Sequence, residues 1–96
     1  MPRFDFIATY MLCNRKNGAI YTGSTANLPA RLDQHKAGDG SIFTEKYDVD
    51  RLVWFEQFET MPPALARERR IKSSPRKWKI DLIESINPDW KELPLF

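Results

Sequence analysis

Ninety-six residues (1–96), with three Trp, six Phe and three Tyr to fill a core, set the scale of one domain. Such a chain buries roughly 60–70% of its extended surface. The single cysteine, Cys13, excludes an internal disulfide framework, and with the single histidine it excludes a zinc site of Cys and His ligands. The net charge of +2 is unevenly placed, with +3 over 1–36, −4 over 37–66, +6 over 67–79 and −3 over 80–96. The +6 block reads either as a phosphate-facing patch or as a solvated helix face.

The apolar stretch 6–13 follows Asp5 and is far shorter than the ~20 residues that span a bilayer. Its aromatic and β-favouring residues predict a first strand, and the expectation is a soluble, cytoplasmic protein. Asn14-Arg15-Lys16-Asn17-Gly18 is turn chemistry, with Asn-Gly able to supply positive φ angles, so 19–24 returns as a second strand. A hairpin of these strands brings Tyr10 and Tyr21 near each other, on one face if the register permits. Composition does not settle that register.

Asn27 caps a helix with Pro29 in its early turn and Gly38 at its end. Leu28 and Leu32 form its apolar stripe, and Arg31 and His35 lie one turn apart on the neighbouring stripe. A loop follows at 39–41 and a short turn at 43–47. Residues 51–59 predict a third strand whose first half is apolar on both faces. Met61-Pro62-Pro63 ends it and opens a helix over 64–72. Ser74 caps a last helix, with Pro75 at its first position, that runs to 86 and is stopped by Asn87-Pro88. Trp78, Leu82 and Ile86 form its core stripe.

Tyr10 in Ala8-Thr9-Tyr10, then Tyr21-Thr22-Gly23, Asn27-Leu28, Arg31 and His35 follow one another in a recognisable order. Phe43-Thr44-Glu45-Lys46-Tyr47, Ala66-Arg67-Glu68, Ile71-Lys72 and Ile86-Asn87-Pro88-Asp89-Trp90 extend the pattern over nearly the whole chain. The set resembles the GIY-YIG nucleases, in particular small stand-alone bacterial members, and is similar to the N-terminal incision domain of the bacterial excision-repair nuclease. The first motif keeps only its tyrosine and the second keeps its outer residues. Ser24 stands where several relatives carry a lysine, and Ser73-Ser74-Pro75 is less basic than in stand-alone relatives.

The resemblance implies an α+β fold, a three-stranded antiparallel sheet with helices packed against it. It also implies a metal-dependent endonuclease that hydrolyses DNA phosphodiesters, structure-directed and serving DNA repair or processing. DNA is the implied partner, with RNA left open, and no membrane is involved. The competing expectation is a non-catalytic nucleic-acid-binding module that retains the fold.

Each residue has a role under the first expectation and a plain structural reading beside it. Glu68 is the metal ligand: Mg²⁺ or Mn²⁺ needs only one or two carboxylates when waters and phosphate oxygens complete the shell. The plain reading is a helix-surface carboxylate paired with Lys72 at i+4. Arg31 offers a planar fork of donors to phosphate, or is an ordinary exposed arginine. Tyr21 orients or deprotonates the attacking water with His35 relaying or holding the proton, and Tyr10 positions the phosphate. The tyrosines otherwise are sheet aromatics and His35 a surface histidine. Gly23 permits close backbone approach. Lys72, Arg76, Lys77 and Lys79, with Arg67, Arg69 and Arg70, track the nucleic-acid backbone. Trp78 belongs to the core rather than to a base-stacking surface.

Overall fold

The computed structural model describes residues 6–37 and 48–95. The predicted helix stop at Gly38, the loop at 39–41 and the turn at 43–47 lie outside the described residues. Strand β1 (Ile7–Cys13) is buried at every position after Ile7, as a central strand covered on both faces must be. It pairs antiparallel with β2 (Ile20–Thr25) on one side and β3 (Arg51–Phe58) on the other, giving the order β2-β1-β3.

The hairpin between β1 and β2 closes as its turn residues predict. Asn17 takes the left-handed conformation at φ 60°, and the Asn14 side chain accepts from the Ala19 N–H at 3.0 Å. The register pairs Tyr10 with Gly23 and Leu12 with Tyr21, so both tyrosines stand on one face of the sheet. On the other flank a bulge interrupts the ladder. Leu12 faces Leu52 and Met11 faces Trp54, which leaves Val53 as an extra residue. Val53 and Trp54 consequently join the same hydrophobic cluster, which explains why this half of β3 reads as apolar on both faces.

Helices cover both faces. Helix α1 (Leu28–Lys36) lays Leu28 and Leu32 on Ala8, Tyr10 and Leu12, and Asn27 accepts from the Ala30 N–H as its cap. On the opposite face, α2 (Met61–Lys72) and α3 (Arg76–Glu84) cover Met11, Cys13, Val53 and Trp54 with Ile71 and Ile83. The segment after α3 runs beside β3, where Leu93 donates to the Leu52 carbonyl at 2.8 Å and the Glu92 carboxylate accepts the Leu52 N–H at 2.9 Å.

Three expectations for the second half are corrected. Helix α2 starts at Met61, three residues before the predicted position, because Pro62 and Pro63 fit a first turn whose N–H groups lack helical partners anyway. Ser74 does not cap α3. Its hydroxyl donates back to the Arg70 carbonyl at 2.7 Å and closes α2, and Pro75 is the residue flanking α3 rather than its first. Ile86 is 56% exposed because α3 ends at Glu84; the inward position is Ile83, while Trp78 and Leu82 are half-buried against the core. Among the described residues no helix is long and apolar enough to cross a membrane.

Candidate active site

Tyr10 is wholly buried, and its phenol crosses the backbone of β2 at Gly23. A Cβ at that position would stand 2.8 Å from Tyr10 Oη, 2.9 Å from Cζ and 3.1 Å from Tyr21 Cε2. Glycine is therefore required here by two rings that pack on its α-carbon. Tyr21 sits diagonally across the ladder, two residues before Gly23, with its ring centroid 6.3 Å from that of Tyr10.

Helix α1 brings the third ring. His35 lies one turn after Arg31 and is buried against both tyrosines, with ring centroids 6.0 Å from Tyr10 and 5.5 Å from Tyr21 in edge-on geometry. Tyr10 Oη and His35 Nε2 are 3.2 Å apart. Burial pushes the Tyr10 phenol up from 10.0 to about 12, Tyr21 adds to this, the Arg31 guanidinium beside it pulls back down, and Glu68 adds a smaller upward push. Burial, then Arg31, holds the His35 imidazole below its ordinary 6.5, with Asp50 opposing. At neutral pH the pair is a protonated phenol and a neutral imidazole. They share a proton when the phenol donates to a histidine protonated on Nδ1.

Arg31, on α1, is a hydrogen-bond partner of the Tyr10 hydroxyl, whereas Glu68, on α2 across the sheet, is the weakest of the charges felt there. The Glu68 carboxylate is only 18% exposed and holds the ammonium of Lys72, one turn further along α2. Helix α2 is seated over β1 and β2 by two hydroxyls that sequence reasoning missed. Thr9 Oγ1 and Ser24 Oγ both donate to the Ala64 carbonyl, at 2.6 and 3.1 Å. Strand alternation could have found them, since Thr9 faces the same side as Met11 and Cys13, and Ser24 is its partner across the ladder.

The +6 block separates into groups with different partners. The Arg67 guanidinium lies over Trp54 and Trp78, 5.7 and 5.8 Å from their ring centroids, and its Nε donates to Glu56 at 3.0 Å. Arg76 donates to the carbonyls of Asn17 and Gly18 at 2.9 and 2.6 Å, fastening α3 to the hairpin turn. Lys77 pairs with Asp81 on the exposed side of α3. Lys72 and Lys79 instead line a cleft of about 290 Å³ beside Tyr21, with Ile20 and Thr22 as its floor. These two lysines are the members of the block adjoining the tyrosine cluster.

The donor set allows a hard divalent ion. No group of three or more His, Cys, Asp or Glu side chains converges among the described residues, which argues against an all-protein cage. A shielded carboxylate that already holds a cation, beside a basic cleft, suits an ion completing its shell with water and phosphate oxygens.

Two tyrosines folded over a glycine, an Arg–His pair on the first helix and a glutamate on the second define a nuclease-type α+β domain. Residues 6–81 match the GIY-YIG catalytic domain, and the chain belongs to that family. Within it, this chain is similar to small UPF0213 proteins. It is 41% identical over 66 residues to the one from Haloquadratum walsbyi, covering 69% of this chain and 74% of that protein. It is 38% identical over 69 residues to the one from Staphylococcus haemolyticus, covering 72% and 84%. The solution NMR structure of the UPF0213 protein from Bacillus halodurans superposes with a TM-score of 0.56 at 27% identity, covering 90% of each chain.

Proposed function

We propose that this protein is a metal-dependent endonuclease that hydrolyses DNA phosphodiester bonds, directed by branched, nicked or damaged structure and serving repair or processing. The observation that carries the reading is the packing of Tyr10, Tyr21 and His35 around Gly23, beside a cleft lined by Lys72, whose ammonium rests on Glu68. A phosphodiester is a stable anion, and its hydrolysis needs charge neutralised, a water activated and a leaving oxygen stabilised. Held by Glu68, Mg²⁺ or Mn²⁺ supplies Lewis-acid polarisation of the phosphate.

The chain's own groups do the rest. Arg31 sets a fork of N–H donors on the phosphate oxygens and stabilises charge as it grows. Tyr10 is protonated and wholly buried, so it positions the phosphate through Arg31 and His35, which its hydroxyl engages, rather than by accepting a proton. Tyr21 is the less buried phenol and lines the cleft, so it meets the attacking water; neutral His35, in ring contact with it, takes up the proton released on Nε2 as that nitrogen gives up the Tyr10 hydroxyl. The water oxygen bonds to phosphorus, the opposite P–O bond breaks, and the leaving oxygen takes a proton from solvent. Lys72 and Lys79 hold the adjoining backbone phosphates without reading sequence.

A panel of duplex, nicked, branched and single-stranded DNA, with RNA counterparts, tests this in Mg²⁺ or Mn²⁺ and in chelator. Cleavage is expected only with metal, and Glu68→Gln should abolish it while changing stability by only about 0.5 kcal/mol. Uncut substrates across the whole panel at enzyme excess would sink the reading. The Glu68–Lys72 ion pair favours a second one, a binding module whose carboxylate serves its helix. That module binds DNA with strong salt dependence and leaves every substrate intact.

A further inference from the structure

Lys72 stands at the junction of two features. Its ammonium holds the Glu68 carboxylate, and its stem lines the cleft beside Tyr21 together with Lys79. The two ends of the ion pair differ in freedom: the lysine side chain is 53% exposed and the glutamate 18%. A shielded carboxylate has little room to move, whereas a half-exposed four-carbon stem can swing. A divalent ion and an ammonium on one carboxylate repel each other and compete for its charge, and a displaced ammonium beside a phosphate in the cleft loses little.

We propose that Lys72 is an exchangeable counter-cation, resting on Glu68 when no metal is bound and moving to a substrate phosphate in the cleft when metal takes the carboxylate. The inference rests on Glu68 being the metal ligand. Metal entry and phosphate binding then favour one another through a single side chain, because each removes the ammonium from the other's competitor. Such coupling is reciprocal by thermodynamic necessity. Lys72 is thus a positioning residue whose replacement moves the two affinities in opposite directions. Lys79, which shares the cleft but not the ion pair, lacks this property.

The test is Mn²⁺ titration by electron paramagnetic resonance on the full chain without DNA, alongside oligonucleotide binding in Ca²⁺, to fill the carboxylate, and in chelator, where the loss on replacing Lys72 should be smaller. The variants are Lys72→Met, Lys72→Arg, Lys79→Met and Glu68→Gln. Lys72→Met should tighten Mn²⁺ binding about two- to fivefold, given the small worth of an i,i+4 pair and the shielding of Glu68. It should weaken oligonucleotide binding and lessen its salt dependence. Lys72→Arg should restore the wild-type Mn²⁺ affinity by restoring the competitor. Lys79→Met should weaken oligonucleotide binding alone, which separates direct competition from the general field of the basic cleft. Unchanged Mn²⁺ affinity in a folded Lys72→Met protein overturns the exchange while Glu68→Gln still loses the ion. If Glu68→Gln binds Mn²⁺ as wild type does, the metal reading itself falls and the exchange with it.

Discussion

On the α1 face of the sheet, Tyr10, Tyr21 and His35 meet around a glycine, with Arg31 beside the Tyr10 hydroxyl. On the α2 and α3 face most polar groups hold the fold together, while Glu68, Lys72 and Lys79 gather at the β2 edge beside the cleft. Thr9 and Ser24 hold a helix carbonyl, Arg67 lies over two tryptophans against Glu56, and Arg76 closes a turn. On the α1 face the polar atoms converge on one glycine; on the other, those that assemble the fold lie apart from the lysines that line the cleft. The lesson is that charge density alone is a poor guide to where substrate binds. The arginines of the basic block that look most like phosphate ligands include two that hold the molecule together.

Arg31→Ala is the sharpest way to test that division. It should slow cleavage by on the order of 10²–10³, the loss expected of a preorganised donor to the reacting group, with little change in melting temperature. An equal loss of stability would put Arg31 with the structural arginines instead. Gly23→Ala should destabilise by about 1–3 kcal/mol in denaturant titration, since the new methyl meets both phenols and the edge strand must shift. Arg67→Met should cost about 1–2 kcal/mol through the lost ring and carboxylate contacts, and leave oligonucleotide affinity unchanged. Weaker binding by that variant would erase the contrast between the faces.

The smallest signal is a pH series. An unfolded histidine protonates near 6.5, whereas burial and Arg31 keep His35 neutral to lower pH in the fold. Below 6.5 the unfolded chain therefore takes the proton first. Stability is full above 6.5 and falls as pH drops from there toward the folded-state value. His35→Gln should flatten that limb of the melting profile, and an unaltered slope would mean that other groups set it.

Much of this arrangement is legible in the residues. Asn17-Gly18 marks the hairpin, Asn27 and the Leu28–Leu32 stripe mark α1, and the ordered tyrosines, arginine and histidine mark the cluster that the fold brings together. Four features are not. The placement of Tyr21 diagonal to Tyr10 depends on how many residues the turn consumes, which composition leaves open. The Val53 bulge arises from packing between β1 and β3 and has no local signature of its own. The partners of Arg67 and Arg76 come from strands and turns distant in the chain, so a run of cations looks uniform until tertiary structure sorts it. His35 reads as a surface residue by its polar stripe, yet the two tyrosine rings cover it.

The Ala64 carbonyl deserves a last consequence. Glu68 follows it by four residues, about 6 Å along the helix axis at 1.5 Å per residue. Hydroxyls from β1 and β2, the strands that carry the two tyrosines, grip that oxygen. The offset between carboxylate and phenols is accordingly gauged by two short clamps rather than by the length of any connecting loop. Insertions between β3 and α2 would leave the gauge untouched, while Thr9→Val together with Ser24→Ala would let the helix slide along an otherwise intact sheet.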